Sequence, residues 1–184
     1  MGGLLKQTSH GFPEQIETER LVLRRWSEEE WPRVRAVWAD PFVWSALEGA
    51  REFDEAFVRA RFEHHLDNWD RYGFDLFVAI DRARGDTAGW IGPAHPDFVE
   101  GLEHEIEIGW SLLTAFQGRG LATEGARASI DAVFDHLAAE RVIALIAPEN
   151  ARSMRVAERV DMTHDSDVRH ARTGQPLRVY SRPR

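Results

Sequence analysis

Gln117-Gly118-Arg119-Gly120-Leu121-Ala122 is the stretch on which the fold turns. Ahead of it, Glu105-Ile106-Glu107-Ile108-Gly109-Trp110-Ser111-Leu112 alternates polar and apolar residues, the period of a half-buried strand. Behind it, Ala126, Ile130, Val133, Phe134 and Leu137 recur at helical spacing, with Glu124, Arg127, Asp131 and Asp135 on the other face. A Gly-x-Gly turn from strand to helix N-terminus leaves several backbone N–H groups converging on one spot. Orphan donors and the helix dipole both favour negative charge there, so the stretch predicts a site for a pyrophosphate-bearing ligand.

The elements on either side follow from the same periodicities. Thr18 to Trp26, with Leu21-Val22-Leu23 between charges, reads as a first strand. Ser27-Glu28-Glu29-Glu30 matches a capping box for a helix carrying Trp31, Val34 and Trp38 up to Asp40-Pro41, with a loop after it. Asp54 caps a second helix through Val58, Phe62, His65 and Trp69. Phe74–Asp81 and Thr87–Gly92 form a hairpin, and 93–101 is a loop before the strand Glu103–Leu113. After the central helix come a buried strand, Arg141–Ala147, a short helix capped by Asn150, and a hairpin from Met162 that turns at Thr173-Gly174-Gln175-Pro176.

Strand 103–113, helix and strand 141–147 make one β-α-β unit, so those two strands are expected to be parallel with a right-handed crossover. The hairpin-length turns elsewhere imply antiparallel neighbours. The fold class is therefore α+β: a mixed, mostly antiparallel twisted sheet flanked by helices. Residues 1–15, with three Gly and one Pro, read as a flexible N-terminal arm, and 16–184 as a single domain.

Bulk properties remove several function classes. Hydrophobic residues at 43% and charged ones at 29% describe a globular chain rather than a disordered one. With no Cys there is no disulfide, thiolate metal site or cysteine nucleophile, and the eight His show no metal-binding spacing, so no metal is expected. A net charge of −8 argues against nucleic acid as a partner and mildly favours a cationic substrate. No apolar run is long enough to span a membrane, and a cytoplasmic enzyme fits.

Three phosphate-binding loops compete for the glycine turn. A nucleotide-hydrolysing P-loop needs Lys and Ser/Thr after its second Gly, where this chain has Leu121 and Ala122. A dinucleotide fingerprint needs Gly or Ala at Thr123. The remaining pattern, Gln117-x-x-Gly120-x-Ala122 after an Ile-Gly-Trp-Ser-Leu strand, resembles the acyl-CoA loop of the GNAT (GCN5-related) N-acetyltransferases. The opening Thr18-Glu19-Arg20-Leu21-Val22-Leu23-Arg24, the Gly89-Trp90-Ile91-Gly92 strand and the Asn150-Ala151-Arg152-Ser153 helix resemble, in order, the branch that includes ribosomal-protein-alanine N-acetyltransferases. Asp161 departs from that pattern, standing where the family has Gly; Asp tolerates the left-handed conformation better than most residues.

The resemblance implies an N-acetyltransferase that uses acetyl-CoA to acetylate a primary amine, either a protein N-terminus or a small molecule. A non-catalytic acyl-CoA sensor or interaction module is the alternative. It implies that the amides of Gln117, Gly118, Arg119, Gly120, Leu121 and Ala122 hold the pyrophosphate, that main-chain groups of Leu112 and Leu113 hold the pantetheine arm, and that Asn150 meets that arm while capping its helix. Ser153 is the candidate acid for the leaving thiolate, with Tyr180 as fallback. Deprotonating an alkyl amine of pKa about 10 calls for a carboxylate, and Glu105 and Glu107 share one face of the strand into the loop. Glu107 lies nearer the expected thioester and ranks first as base; His104 is a possible second. Phe42 and Trp44 are candidate walls of the acceptor site, and the sheet edge or tail could serve a homodimer.

Overall fold

A computed structural model describes residues 11–48 and 52–184. Its eight strands are β1 (Gln15–Glu17), β2 (Leu21–Arg25), β3 (Phe77–Asp81), β4 (Thr87–Ala94), β5 (Glu107–Leu112), β6 (Arg141–Ile146), β7 (Thr163–Arg169) and β8 (Pro176–Pro183). The helices are α1 (Trp31–Trp38), α2 (Pro41–Glu48), α3 (Glu55–Tyr72), α4 (Leu121–His136) and α5 (Ala151–Arg159). One mixed sheet runs β1-β2-β3-β4-β5-β6-β8-β7, and among the described residues only β5 and β6 pair in parallel. That pair flanks α4, as the β-α-β reading requires.

Burial sorts the strands by position. Every residue of central β3 is buried, whereas edge strand β7 is almost wholly exposed and carries charges along its length. Helix ends obey local chemistry. Asp54 accepts from the Phe57 N–H at 3.1 Å to start α3, and Gly73, at φ 78°, closes it. Asp161 is the one non-glycine with positive φ among the described residues, at 64°, just after α5.

Several boundaries differ from expectation. Ser27 makes no side-chain cap, and a single 3-10 turn (28–30) precedes α1, because the Glu30 carboxylate turns instead to Arg24 and Arg33. The stretch after α1 is helix α2, not a loop: the Asp40 carboxylate accepts from the N–H groups of Phe42 and Val43 and so caps it. Strand β4 runs on through Pro93 to Ala94, and β5 starts only at Glu107, since 100–104 is spent in turns. Residues 1–10 of the expected arm lie outside the described residues; Phe12 packs against Trp69, Phe74 and Phe77, and Gln15 opens β1.

Two apolar clusters meet at β5. One gathers Leu21, Trp26, Phe62, Phe77 and Ile91; the other gathers Ile106, Ile130, Val142, Ala157 and Met162. Trp110 touches both.

Candidate active site

The register between β5 and β6 contains a single pair, Glu107 with Ile143, although each strand is six residues long. Past that pair the strands part. The Leu113 N–H donates to Ala88 O on the β4 side, and on the opposite edge Ile106 O accepts from the Ile143 N–H. Successive residues of a strand alternate edges. The main-chain groups of Trp110 and Leu112 therefore face the gap, where β6 supplies no partner. Leu112 O is filled by the Gln117 side-chain amide at 2.9 Å; both main-chain groups of Leu113 are used internally, its N–H by Ala88 and its C=O by Phe116.

At the mouth of the gap, Gly118 and Gly120 take φ of 73° and 78°, values that L side chains rarely adopt, and Gly120 then serves as the N-cap of α4 with no side chain over the helix end. The first-turn amides of α4 are left pointing outward with the positive end of its dipole. The loop is tied down from behind. Glu124, in that first turn, accepts from Thr18 Oγ1 (2.5 Å), Arg20 N–H (2.8 Å) and Arg20 Nε (2.6 Å), while Arg20 Nη1 donates to Arg119 O at 2.8 Å. Arg119 itself leans over Phe116 and towards Asp81. Gln117 Oε1 accepts from Arg152 of α5 at 2.8 Å.

Opposite edges of β5 are matched by opposite faces. Trp110 lies across from Ile91, the side chain that Gly125 of α4 approaches, so Trp110 faces α4 and α5. There its indole N–H donates to Ser153 Oγ at 3.3 Å. Asn150 Oδ1 accepts from the Ser153 N–H at 3.0 Å, which fixes the first turn of α5. Glu107 shares the other face with Gly109 and Ser111. Enclosure raises its carboxyl from the usual range to about 7; a hydrogen bond from the Leu145 N–H and the charge of Arg61 act against that rise, while Asp97 and Asp75 add to it.

The structure separates the two carboxylates that the alternation placed together. Glu105 lies before β5 and is clamped by Arg141, with Nη2 to Oε1 at 2.7 Å, which joins the approach to β5 with the start of β6. His104 is exposed in the turn before β5. Tyr180 is buried in the second core cluster, paired with Ala144. Of the two expected wall residues, Trp44 is 6% exposed and stacks edge-on to Trp38, Phe53 and Phe57, whereas Phe42 is 44% exposed beneath the Arg152 guanidinium.

Sequence reading missed Trp110 as the partner of Ser153, Arg152 as the link from α5 to the loop, and the Thr18–Arg20–Glu124 anchor. The anchor joins residues 104 and 106 positions apart, for which periodicity offers no signal. It also missed a buried group on α3. His65 Nδ1 lies 2.6 Å from Asp75 Oδ1, and Asn68 donates to Asp75 Oδ2 at 2.7 Å. Among the described residues no cluster of His, Asp and Glu could hold a metal ion, and no helix is long and apolar enough to cross a membrane.

A mixed sheet whose parallel pair splays open beside a helix N-terminus with no side chain over it suits an extended ligand that ends in phosphate. Residues 20–163 match the model of the acetyltransferase (GNAT) domain, and the chain belongs to that family. It is 31% identical over 154 residues to an uncharacterized N-acetyltransferase, YnaD, of Bacillus subtilis (strain 168), covering 82% of this chain and 83% of that protein. A GNAT-family acetyltransferase structure from Bordetella pertussis superposes with a TM-score of 0.79 at 28% identity, covering 92% and 99% of the two chains. The acetyltransferase yncA from Salmonella typhimurium, a structure with its cofactor acetyl-CoA, shares the fold with a TM-score of 0.67 at 16% identity, over 90% and 94%. The protein is thus an acetyltransferase of single-domain GNAT architecture.

Proposed function

We propose that this acetyltransferase transfers the acetyl group of acetyl-CoA to a primary amine by direct attack, with Glu107 as general base and Ser153 as general acid. The observation that carries the reading is the Glu107 carboxyl, set at the point where β5 and β6 part and tuned to about 7. A base of that pKa is half ionised near neutrality and can take the proton that the amine nitrogen sheds as it attacks, directly or through one water.

Acetyl-CoA supplies an activated acyl carbon on a thiolate leaving group. The residues present suit its shape. The Gln117–Ala122 amides at the α4 N-terminus suit a pyrophosphate, and the Trp110 main-chain groups and the Leu112 N–H, which face the gap, suit an amide-bearing arm lying there like an added strand. The amine then approaches from the Glu107 face. Its nitrogen bonds to the acyl carbon, the C–S bond breaks, the amine proton passes to Glu107, and the thiolate takes the Ser153 hydroxyl proton. Because Ser153 Oγ already accepts from Trp110, its own proton is free to be donated, and the same N–H steadies the oxygen afterwards.

Thiol release from acetyl-CoA over a panel of primary amines tests this. Amine-dependent release with an acid limb near pH 7 is expected; saturable CoA binding with no turnover on any amine would instead make the protein a CoA-binding module.

A further inference from the structure

Helix α3 carries Arg61, His65 and Asn68 at intervals of four and three residues, one stripe of its surface. Two of the three are committed. His65 and Asn68 both hold Asp75, whose carboxylate also takes the Leu76 N–H at 2.6 Å and is 0% exposed. Asp75 is therefore locked in place and has no freedom to receive a ligand.

Arg61 is not committed. Among the described residues nothing accepts a hydrogen bond from its guanidinium, and its Nε is enclosed without a partner. Its neighbour Arg59, two residues earlier on the same helix, is bound to both Glu28 and Glu63. An arginine is charged at every working pH and presents its N–H groups as a planar fork that fits a carboxylate. Enclosing part of that fork without an acceptor is unfavourable, so the arrangement persists where something else supplies the acceptor. Leu76, whose N–H Asp75 holds, lies where a side chain on Gly109 would point, on the Glu107 face of β5, so the stripe that carries Arg61 stands on the acceptor side rather than at the phosphate loop; the charge of Arg61 is felt at Glu107 as well.

We propose that Arg61 binds a carboxylate carried by the acceptor, so that the substrate is a small amine of amino-acid type rather than a polyamine, an amino sugar or a neutral amine. The proposal rests on the transfer reaction above and names its substrate class. One end of such a molecule pairs with Arg61 while its nitrogen lies beside Glu107. The pairing fixes the nitrogen's orientation and offsets repulsion between the substrate's carboxylate and the surrounding acids.

The test compares amino acids with their carboxamides, which differ only in the anionic group, in thiol release from acetyl-CoA by the wild-type protein, Arg61→Lys and Arg61→Ala. The wild type is expected to favour the acids by about 10- to 100-fold in kcat/KM, the range of a charge-assisted hydrogen bond. Arg61→Ala is expected to erase that preference through KM, and Arg61→Lys to restore part of it. The wild-type comparison needs no variant to fold. Equal turnover of acids and carboxamides by the wild type, or an equal loss on both in Arg61→Ala, would overturn the proposal while leaving amine acetylation intact. Turnover of peptides with an acidic second residue but not of free amino acids would overturn the small-molecule assignment. Binding of CoA with no amine turned over would remove the underlying reaction and this proposal together.

Discussion

The two faces of β5 are built by different means. On the α4 and α5 side the candidate donor site is made mostly of backbone: a glycine turn, a helix N-terminus and unpaired strand amides, all within residues 110–122, with one Asn cap from the start of α5. On the other side the candidate acceptor site is made of side chains brought from α3, the segment after it, the turns after β4, and β5 itself. Backbone geometry recognises what every acyl-CoA shares. Side-chain chemistry selects what differs between acceptors. The contrast explains how one fold can keep its donor and change its substrate.

The largest expected effect lies on the side-chain face. Glu107→Gln should lower kcat by about 10²- to 10⁴-fold and abolish the acid limb near pH 7, with CoA affinity unchanged. Stability should move the opposite way. The folded carboxyl is raised above its unfolded value of about 4.3, so the folded state holds the proton more tightly and loses stability as pH rises from about 4.5 through 7. The Gln variant lacks that loss and should be as stable as the wild type at pH 8 or more so, by up to about 3 kcal/mol in urea unfolding. A Gln variant with undiminished turnover would take Glu107 out of the chemistry.

Asp75→Ala comes next. It strands His65, Asn68 and the Leu76 N–H in a buried setting and should cost about 2–4 kcal/mol of stability. Less than about 1 kcal/mol would mean that the acceptor face does not depend on this group.

On the backbone face, Gly120→Ala places a side chain in a left-handed conformation that costs about 1–2 kcal/mol. CoA affinity by calorimetry should fall about tenfold, with the pH profile unmoved. If the pH profile shifted instead, the two faces would not be separable. The smallest change is expected from Arg152→Ala, which frees Gln117 from a surface contact and should alter CoA affinity by no more than about fivefold.

The same contrast governs what could be read from the residues. The strand before Gln117, the helix after it, the parallel pair, the Asn150 and Asp54 caps and the left-handed Asp161 follow from local rules, and each is present. Local rules failed where a residue answered to a distant one. Glu30 gave up its capping role to Arg24, and Glu105 was pulled out of the strand pattern by Arg141. Trp44, one of two aromatics with equal claim to the surface, was drawn inside by Trp38 and Phe57.

The sequence by itself determined the order of elements from β5 onward and the glycine turn at Gln117–Ala122, because periodicity, caps and backbone freedom act over a few residues. Only the tertiary structure decided that β5 and β6 part after one pair, that Glu105 is drawn to Arg141 while Glu107 stands where the strands part, and that among the described residues the Arg61 guanidinium is left without an acceptor. Those outcomes depend on burial and on charges brought together across the sheet, and a residue's burial is a property of everything folded around it.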